Sequence, residues 1–285
     1  MARILITGSN SGFGLLSAVT LARLGHDVIA TMRNPAKSSA LDDAVAADGL
    51  SITKRTLDVA DQASVDAALA DADDIGVLIN NAGYEVQSSV EQLSDDLMYG
   101  QLETNVMGPL RTMRAVLPSW RERGSGVIVN VSSIAGRVGT PYSGAYAASK
   151  WALEAMSESL HFEVSQLGIR VHLIEPGRFD TGFRDNIVRP PDWEGSYHHE
   201  RFEAFRRALD SLDTGGGDAP GTGGSGGTKP DPQTVADAIV RAATDPSTPL
   251  RTLVGADAEL IAGVKGSMEF EDFEATMRSA LNWHD

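Results

Sequence analysis

Tyr146 and Lys150 stand four residues apart in the stretch Tyr-Ala-Ala-Ser-Lys, and Ser133 precedes the tyrosine by thirteen positions. On a helix, residues four apart share a face and lie about one turn from each other. That pairing suits proton chemistry at a phenol. A free tyrosine ionises near pH 10, so a base working near neutrality needs a shift of about three units, roughly 4 kcal/mol. An ammonium a few ångströms away favours the phenolate and is expected to supply much of that shift. A serine hydroxyl close by holds a carbonyl or alcohol oxygen in line with the phenol. The same spacing also occurs in ordinary exposed helical pairs, so the surrounding elements decide its meaning.

Ala2 to Thr7 is a short, branched, apolar run ending at a glycine and reads as a buried strand. Gly8-Ser9-Asn10-Ser11-Gly12-Phe13-Gly14 follows, and Leu15 to Leu24 has helical spacing up to Gly25. Strand, glycine turn and helix are the setting of a phosphate-cradling loop. The glycines let backbone approach a pyrophosphate, and the helix N-terminus adds partial positive charge. Asp27 to Thr31 is a second strand. Near its end, where NAD-dependent proteins place an acid for the adenosine ribose, the chain reads Thr31-Met32-Arg33-Asn34. A carboxylate repels a 2′-phosphate and a guanidinium binds one. Arg33 therefore points to NADP(H) over NAD(H), with Lys37 as a second cation; the competing reading of Arg33 is a solvated surface residue.

Ser51 to Leu57 is a third strand, ending at Asp58-Val59, and Asp61 to Ala72 is helical with Asp61 as N-cap. Gly76 to Ile79 is a fourth strand, running into Asn80-Asn81-Ala82-Gly83. These asparagines suit the exposed backbone of neighbouring strand ends, and the small residues leave space for a flat ring; a plain turn is the alternative. Leu97 to Arg121 reads as one long helix kinked by Pro109 near Asn105. A kink frees a carbonyl, which makes Asn105 an anchor for a water or a lysine. Gly126 to Val131 delivers Ser132-Ser133 at its carboxyl end, the edge where ligands sit in open parallel sheets.

The helix from Gly144 to Gln166 carries Tyr146 and Lys150 and has two apolar stripes. Leu153, Met156, Leu160, Val164 and Leu167 cover the sheet. Trp151, Ala155 and Phe162 need another partner, which points to a homodimer or homotetramer. Ile169 to Glu175 is the sixth strand, ending at Pro176-Gly177-Arg178-Phe179-Asp180-Thr181. Alternating strands and helices of this kind make a single-domain, Rossmann-type α/β fold over residues 1–285, a doubly wound parallel sheet of about seven strands with helices on both faces. From 181 to 232 the alternation breaks into a substrate lid or insertion. Arg201 to Leu212 is helical there, and eight of the fifteen residues from Thr214 to Thr228 are glycine, a composition expected to be flexible. Thr234 to Ala243 then reads as helix, Leu250 to Val254 as strand and Glu269 to Leu281 as helix.

Composition removes other function classes. Lys plus Arg is 24 against 39 Asp plus Glu, a net charge of −15, which argues against nucleic acid or an anionic membrane as partner. No apolar run approaches a membrane span. The first strand starts within three residues of Met1, leaving no room for a signal peptide, so a cytoplasmic location is expected. There is no cysteine, and none of the six histidines pair at helical spacing, so no metal is expected.

Taken together, Thr7-Gly8-x-x-x-Gly12-x-Gly14, Asp58, Asn80-Asn81-Ala82-Gly83, Asn105, Ser133, Tyr146-x-x-x-Lys150 and Pro176-Gly177 resemble the short-chain dehydrogenases/reductases in their short, non-extended branch. The resemblance is good over about residues 3 to 185 and loose beyond. It implies that Ser133 holds the substrate oxygen, that Tyr146 is acid in reduction and base in oxidation, and that Lys150 lowers the tyrosine's pKa and binds the nicotinamide ribose. Asn105 would anchor a relay water. Gly8, Asn10, Ser11, Gly12, Phe13 and Gly14 would hold the diphosphate, Asp58 and Val59 would flank the adenine, and Asn81, Ala82 and Gly83 would line the middle of the cofactor. Pro176, Gly177, Phe179 and Thr181 would shape the carboxamide pocket. Phe13 departs from the usual isoleucine, and the glycine loop has no basic residue of its own.

The expected activity is hydride transfer between NADP(H) and a carbonyl or secondary alcohol, with a non-catalytic NADP(H)-binding sensor or scaffold as the alternative. Phe179, Phe183, Trp193, Tyr197, Phe202 and Phe205, with Tyr84 and Tyr142, suit a bulky apolar substrate of steroid, retinoid or polyketide type, unless they pack the lid helix instead. Ala30-Thr31-Met32-Arg33-Asn34-Pro35 resembles hydroxysteroid and retinol dehydrogenase relatives.

Overall fold

Strands covered on both faces read as unbroken apolar runs, and Ile4-Leu5-Ile6 and Val28-Ile29-Ala30 are two such runs, all of them buried. In the computed structural model, which describes residues 1–213 and 230–281, they are the middles of β1 (Arg3–Thr7) and β2 (Asp27–Met32). Five more strands complete the sheet: β3 (Ile52–Thr56), β4 (Val77–Asn80), β5 (Gly126–Val131), β6 (Ile169–Pro176) and β7 (Arg251–Val254). Every neighbouring pair is parallel, in the order β3-β2-β1-β4-β5-β6-β7. The order reverses between β1 and β4, so a crevice opens there at the carboxyl ends.

Ten helices flank the sheet among the described residues: α1 (Gly12–Arg23), α2 (Ser39–Asp48), α3 (Gln62–Ala68), α4 (Asp95–Leu102), α5 (Gly108–Arg123), α6 (Gly144–Val164), α7 (Tyr197–Asp213), α8 (Gln233–Thr244), α9 (Ala256–Ser267) and α10 (Phe270–Leu281). Strand side chains alternate between faces, and the two cores follow that alternation. Ile4, Ile6, Val28, Ala30 and Ile79 pack against α1 and α8 on one face. Leu5, Ile29, Leu78 and Ile128 pack against α3, α5 and α6 on the other.

The long helix expected over 97–121 is divided. Between α4 and α5 the chain forms a π turn, Glu103–Met107, in which the Gly108 N–H reaches back to the Glu103 carbonyl. Pro109 sits at the start of α5, and Asn105, 1% exposed, lies inside the turn. α2 and α9 were not expected, because each buries a single side chain, Leu41 and Ala258, and so carries no apolar stripe. The lid helix starts at Tyr197, four residues earlier than its spacing suggests. The glycine-rich stretch 214–228 lies outside the described residues.

Trp193, Phe202 and Phe205 form a small satellite core with Leu281, Tyr142 and Met277. These three aromatics tie the lid to α10, so of the two readings of the aromatic group the packing one holds for them. In the main core Trp120 is the largest fully buried side chain. Its Nε1 donates to the Ile75 carbonyl at 2.8 Å, and its ring fills the space where a side chain at Gly126 would stand. Trp120→Ala is expected to lower the unfolding free energy by about 3–5 kcal/mol, measured by urea denaturation; a loss below about 1 kcal/mol would contradict this packing.

Candidate active site

The crevice is built first by glycine. Gly8 and Gly12 have φ of +70° and +55°, the left-handed region that glycine adopts without penalty. At Gly14 a β-carbon would collide with the Gly8 carbonyl and the Asn81 amide, so the turn closes tightly over the start of α1. Ser11, at the N-cap of α1, makes no side-chain cap bond. The first-turn N–H groups are thus left for an anion. Ser9 is spent on structure, its hydroxyl donating to the Ile6 carbonyl at 2.9 Å. Asn10 and Ser11 are exposed at the loop's rim.

Asn81 stitches this loop to β4. Its Nδ2 donates to the Thr7 and Gly8 carbonyls at 2.9 and 3.0 Å, and the Asn81 and Ala82 N–H groups both donate to Thr7 Oγ1 at 3.0 and 2.9 Å. A β-carbon on Gly8 would touch Ala82 Cα at 2.9 Å. On the facing side the turn after β6 comes down over the loop. A β-carbon on Gly12 would stand 3.6 Å from Thr181 Cβ, and Phe13 meets Phe179 edge-on, ring centroids 5.9 Å apart. Phe13 thus turns toward an aromatic neighbour. Gly177 donates its N–H to the Val254 carbonyl at 2.9 Å, beside Pro176. It has no room for a side chain because the Asp257 carboxylate fills that space; Asp257 also accepts from the Arg178 N–H at 2.7 Å.

Arg33 is exposed just past β2, and its charge is felt by the Tyr84 phenol. Asp58 closes a turn after β3 by accepting from the Ala60 N–H at 3.0 Å. Val59 is buried against Gly108, and Arg111 donates to its carbonyl at 3.2 Å. The Val59 side chain therefore packs in the core, and only its backbone is left to flank an adenine.

Ser133, Tyr146 and Lys150 converge where β5 meets α6. Ser133 has an extended backbone and caps a one-turn helix, its Oγ accepting from the Ala135 N–H at 3.1 Å. Its hydroxyl also bonds to Tyr146 and favours the phenolate. Lys150 is buried, donates from Nζ to the Val131 carbonyl at 2.8 Å, and stands 5.6 Å from the centre of the Tyr146 ring. Burial lowers its pKa to about 8, against the pull of the Glu154 carboxylate. Tyr146 is raised well above its ordinary range, first by burial and then by the Glu85 carboxylate. The acidification expected from Lys150 is not seen in the protein alone: burial and the Glu85 carboxylate oppose ionisation of the phenol more than the Ser133 hydroxyl favours it.

Of the two roles expected for Asn105, the direct hold on a lysine is not made. Its amide does not hold Lys150, whose acceptor is Val131. It clasps the Tyr84 backbone, Oδ1 accepting from the N–H at 3.2 Å and Nδ2 donating to the carbonyl at 3.0 Å, and reaches Ser149 Oγ at 3.1 Å. It also limits Gly83, where a β-carbon would come within 3.1 Å of Oδ1. No motif or spacing marks Gln101, which is buried and bonds Tyr84 and Val86 at 2.8 and 2.6 Å, or Glu85, which accepts from Ser143 at 2.7 Å. Only position in the fold brings them to the site.

Comparison with known proteins settles the lineage. The short chain dehydrogenase family model matches residues 2–192. The chain belongs to that family. A short-chain dehydrogenase from Streptomyces avermitilis superposes with a TM-score of 0.77 at 33% identity, over 99% of this chain and 97% of that one. The uncharacterized oxidoreductase YusZ of Bacillus subtilis (strain 168) is 37% identical over 249 residues, 84% of each chain. Retinol dehydrogenase 8 of Bos taurus is 39% identical over 191 residues, 65% of this chain and 61% of that one. As a short-chain dehydrogenase the protein is an oxidoreductase acting on alcohol and carbonyl groups.

The family implies a nicotinamide cofactor, and the residues present fit one. Gly14 leaves no space for a β-carbon, the α1 N-terminus is uncapped, and Thr181 stands across Gly12. Among the described residues no group of three or more His, Cys, Asp or Glu is placed to hold a metal ion, and no helix is long and apolar enough to cross a membrane.

Proposed function

We propose that the protein is an NADP(H)-dependent oxidoreductase of a carbonyl or secondary alcohol with a bulky apolar body. The observation that carries this reading is the meeting of Ser133, Tyr146 and Lys150 at the carboxyl edge of β5, beside the glycine loop. When bound, the nicotinamide supplies or accepts the hydride. The chain's own residues do the rest. The Ser133 hydroxyl donates to the substrate oxygen and aligns it with Tyr146 Oη. Tyr146, neutral near pH 7, gives its proton to that oxygen in reduction and takes it back in oxidation. Lys150, anchored on Val131, presents its ammonium to the cofactor's ribose. Asn105 is a positioning residue that fixes the wall at Tyr84 and shares Ser149 with α6.

Gly8 to Gly14 would hold the diphosphate on loop backbone and the α1 N-terminus, and Asp58 would face the adenosine. Asn81 to Gly83 would line the middle, and Pro176 to Thr181 the carboxamide end. Arg33, an exposed cation past β2, supports NADP(H) over NAD(H). Phe183, whose ring lies 5.9 Å from that of Tyr146, supports an apolar substrate body, as does the likeness to retinol dehydrogenase 8. The lid includes α7. Trp151 and Phe162, exposed on α6, support a homodimer or homotetramer, and the reading includes a cytoplasmic location.

Tyr146→Phe is expected to lower turnover of a ketone by about 10²–10⁴ and to leave NADPH affinity, read by fluorescence, nearly intact; near-normal turnover would overturn the role of the phenol. Arg33→Ala is expected to raise the KM for NADPH about tenfold or more and to spare NADH. Equal losses for both cofactors would remove the phosphate assignment.

A further inference from the structure

Past the carboxyl end of β6 the chain stays beside the crevice from Pro176 to Thr181. Ser133 Oγ lies 3.5 Å from the Pro176 carbonyl, the Phe179 ring meets Phe13, and Thr181 stands across Gly12. The segment therefore bridges the serine and the glycine turn, and whatever fixes its backbone fixes one wall of the crevice. Its N–H groups need partners from other elements.

Two such partners come from the strand and helix that follow α8. The Gly177 N–H donates to the Val254 carbonyl at 2.9 Å and extends the pairing of β6 with β7. The Arg178 N–H donates to Asp257 Oδ2 at 2.7 Å. Asp257 stands in the first turn of α9, where the helix end favours a negative charge. A bond from an N–H to an ionised carboxylate is also stronger than a neutral one. Two glycines make room for this carboxylate. A β-carbon on Gly177 would collide with it, and one on Gly255 would stand 2.7 Å from Oδ1 and 3.3 Å from the Phe179 ring. Gly255 also takes a φ of +108°, which glycine alone adopts freely. α9 itself buries one side chain, Ala258, so it adds little to the core, while its carboxylate reaches the loop at the crevice.

We propose that Asp257 is a positioning residue for the cofactor: by clasping the Arg178 N–H it holds Gly177 to Thr181 in the shape that receives the nicotinamide half. This rests on the cofactor reading, which puts that segment at the carboxamide end, and it adds the residue that sets the segment. In the same reading the diphosphate and adenosine are held by other elements, the glycine turn and the ends of β2 and β3. Asp257 thus acts on one half of the ligand.

The test compares, by calorimetry, NADPH with ADP-ribose 2′-phosphate and NADH with ADP-ribose; the members of each pair differ by the nicotinamide. The pair that the wild type binds more tightly is then read in Asp257→Ala, Asp257→Asn and Gly177→Ala. Asp257→Ala is expected to weaken the dinucleotide about tenfold and the fragment less than about twofold. Asp257→Asn keeps an oxygen acceptor and is expected to restore the dinucleotide to within about threefold of the wild type. Gly177→Ala, whose β-carbon takes the carboxylate's place, is expected to repeat the Asp257→Ala pattern, and it decides by the same readings where Asp257→Ala fails to fold. Equal loss of dinucleotide and fragment overturns the proposal, because a carboxylate that only supports the fold would weaken both. Full dinucleotide affinity in a folded Asp257→Ala overturns it as well. The expected pattern without turnover of any ketone or alcohol supports the clasp and sinks the oxidoreductase reading, whereas a wild type that binds neither dinucleotide sinks both.

Discussion

Tyr146 and Lys150 are held where charge is disfavoured, and the rest of the site is arranged around that fact. The lysine is buried with a backbone carbonyl as its hydrogen-bond acceptor, and its pKa falls to about 8. The tyrosine is kept neutral by the same burial. A neutral phenol bonded to Ser133 is ready to donate, and the lysine remains charged at neutral pH by a narrow margin. Lowering of the phenol's pKa in the oxidation direction must come with charges that arrive at the site, since the protein by itself opposes it.

The geometry that places this pair is fixed by asparagine side chains bonded to backbone. Asn81 binds the end of β1 to the end of β4 and thereby sets the glycine turn. Asn105 sits in a π turn, and with Gln101 it holds the wall at Tyr84. Below them Thr112, Asn80, Asn130 and Ser157 form a buried run of hydrogen bonds from α5 through β4 and β5 to α6. Buried amides of this kind are costly unless satisfied, so the run specifies one relative placement of the two strands and two helices.

Much of this was legible in the residues. The strand readings match all seven strands within a residue at either end, and the glycine turn and the Tyr-Lys spacing place the crevice. Pro109 marked the break in the long helix, though a kink and a π turn are alike in sequence. What stayed hidden depends on tertiary contact. α2 and α9 bury one side chain each, so no stripe announces them. Val59 reads as a rim residue until Gly108 is seen to receive it. Trp193, Phe202 and Phe205 look like a substrate wall and are instead the core beneath the lid. Glu85 has no motif, and its importance comes from Ser143 and Tyr146 on another element.

The sign of the tyrosine's shift was the reading most open to error, because the burial and the Glu85 carboxylate that raise it both depend on tertiary contact. An ultraviolet difference titration of the phenols in the cofactor-free protein, wild type minus Tyr146→Phe, tests this most directly. The account expects no phenolate from Tyr146 at pH 9, below the ordinary tyrosine value of about 10. A phenolate attributable to Tyr146 near pH 7–8 in the protein alone would contradict it, and would mean that Lys150 outweighs burial.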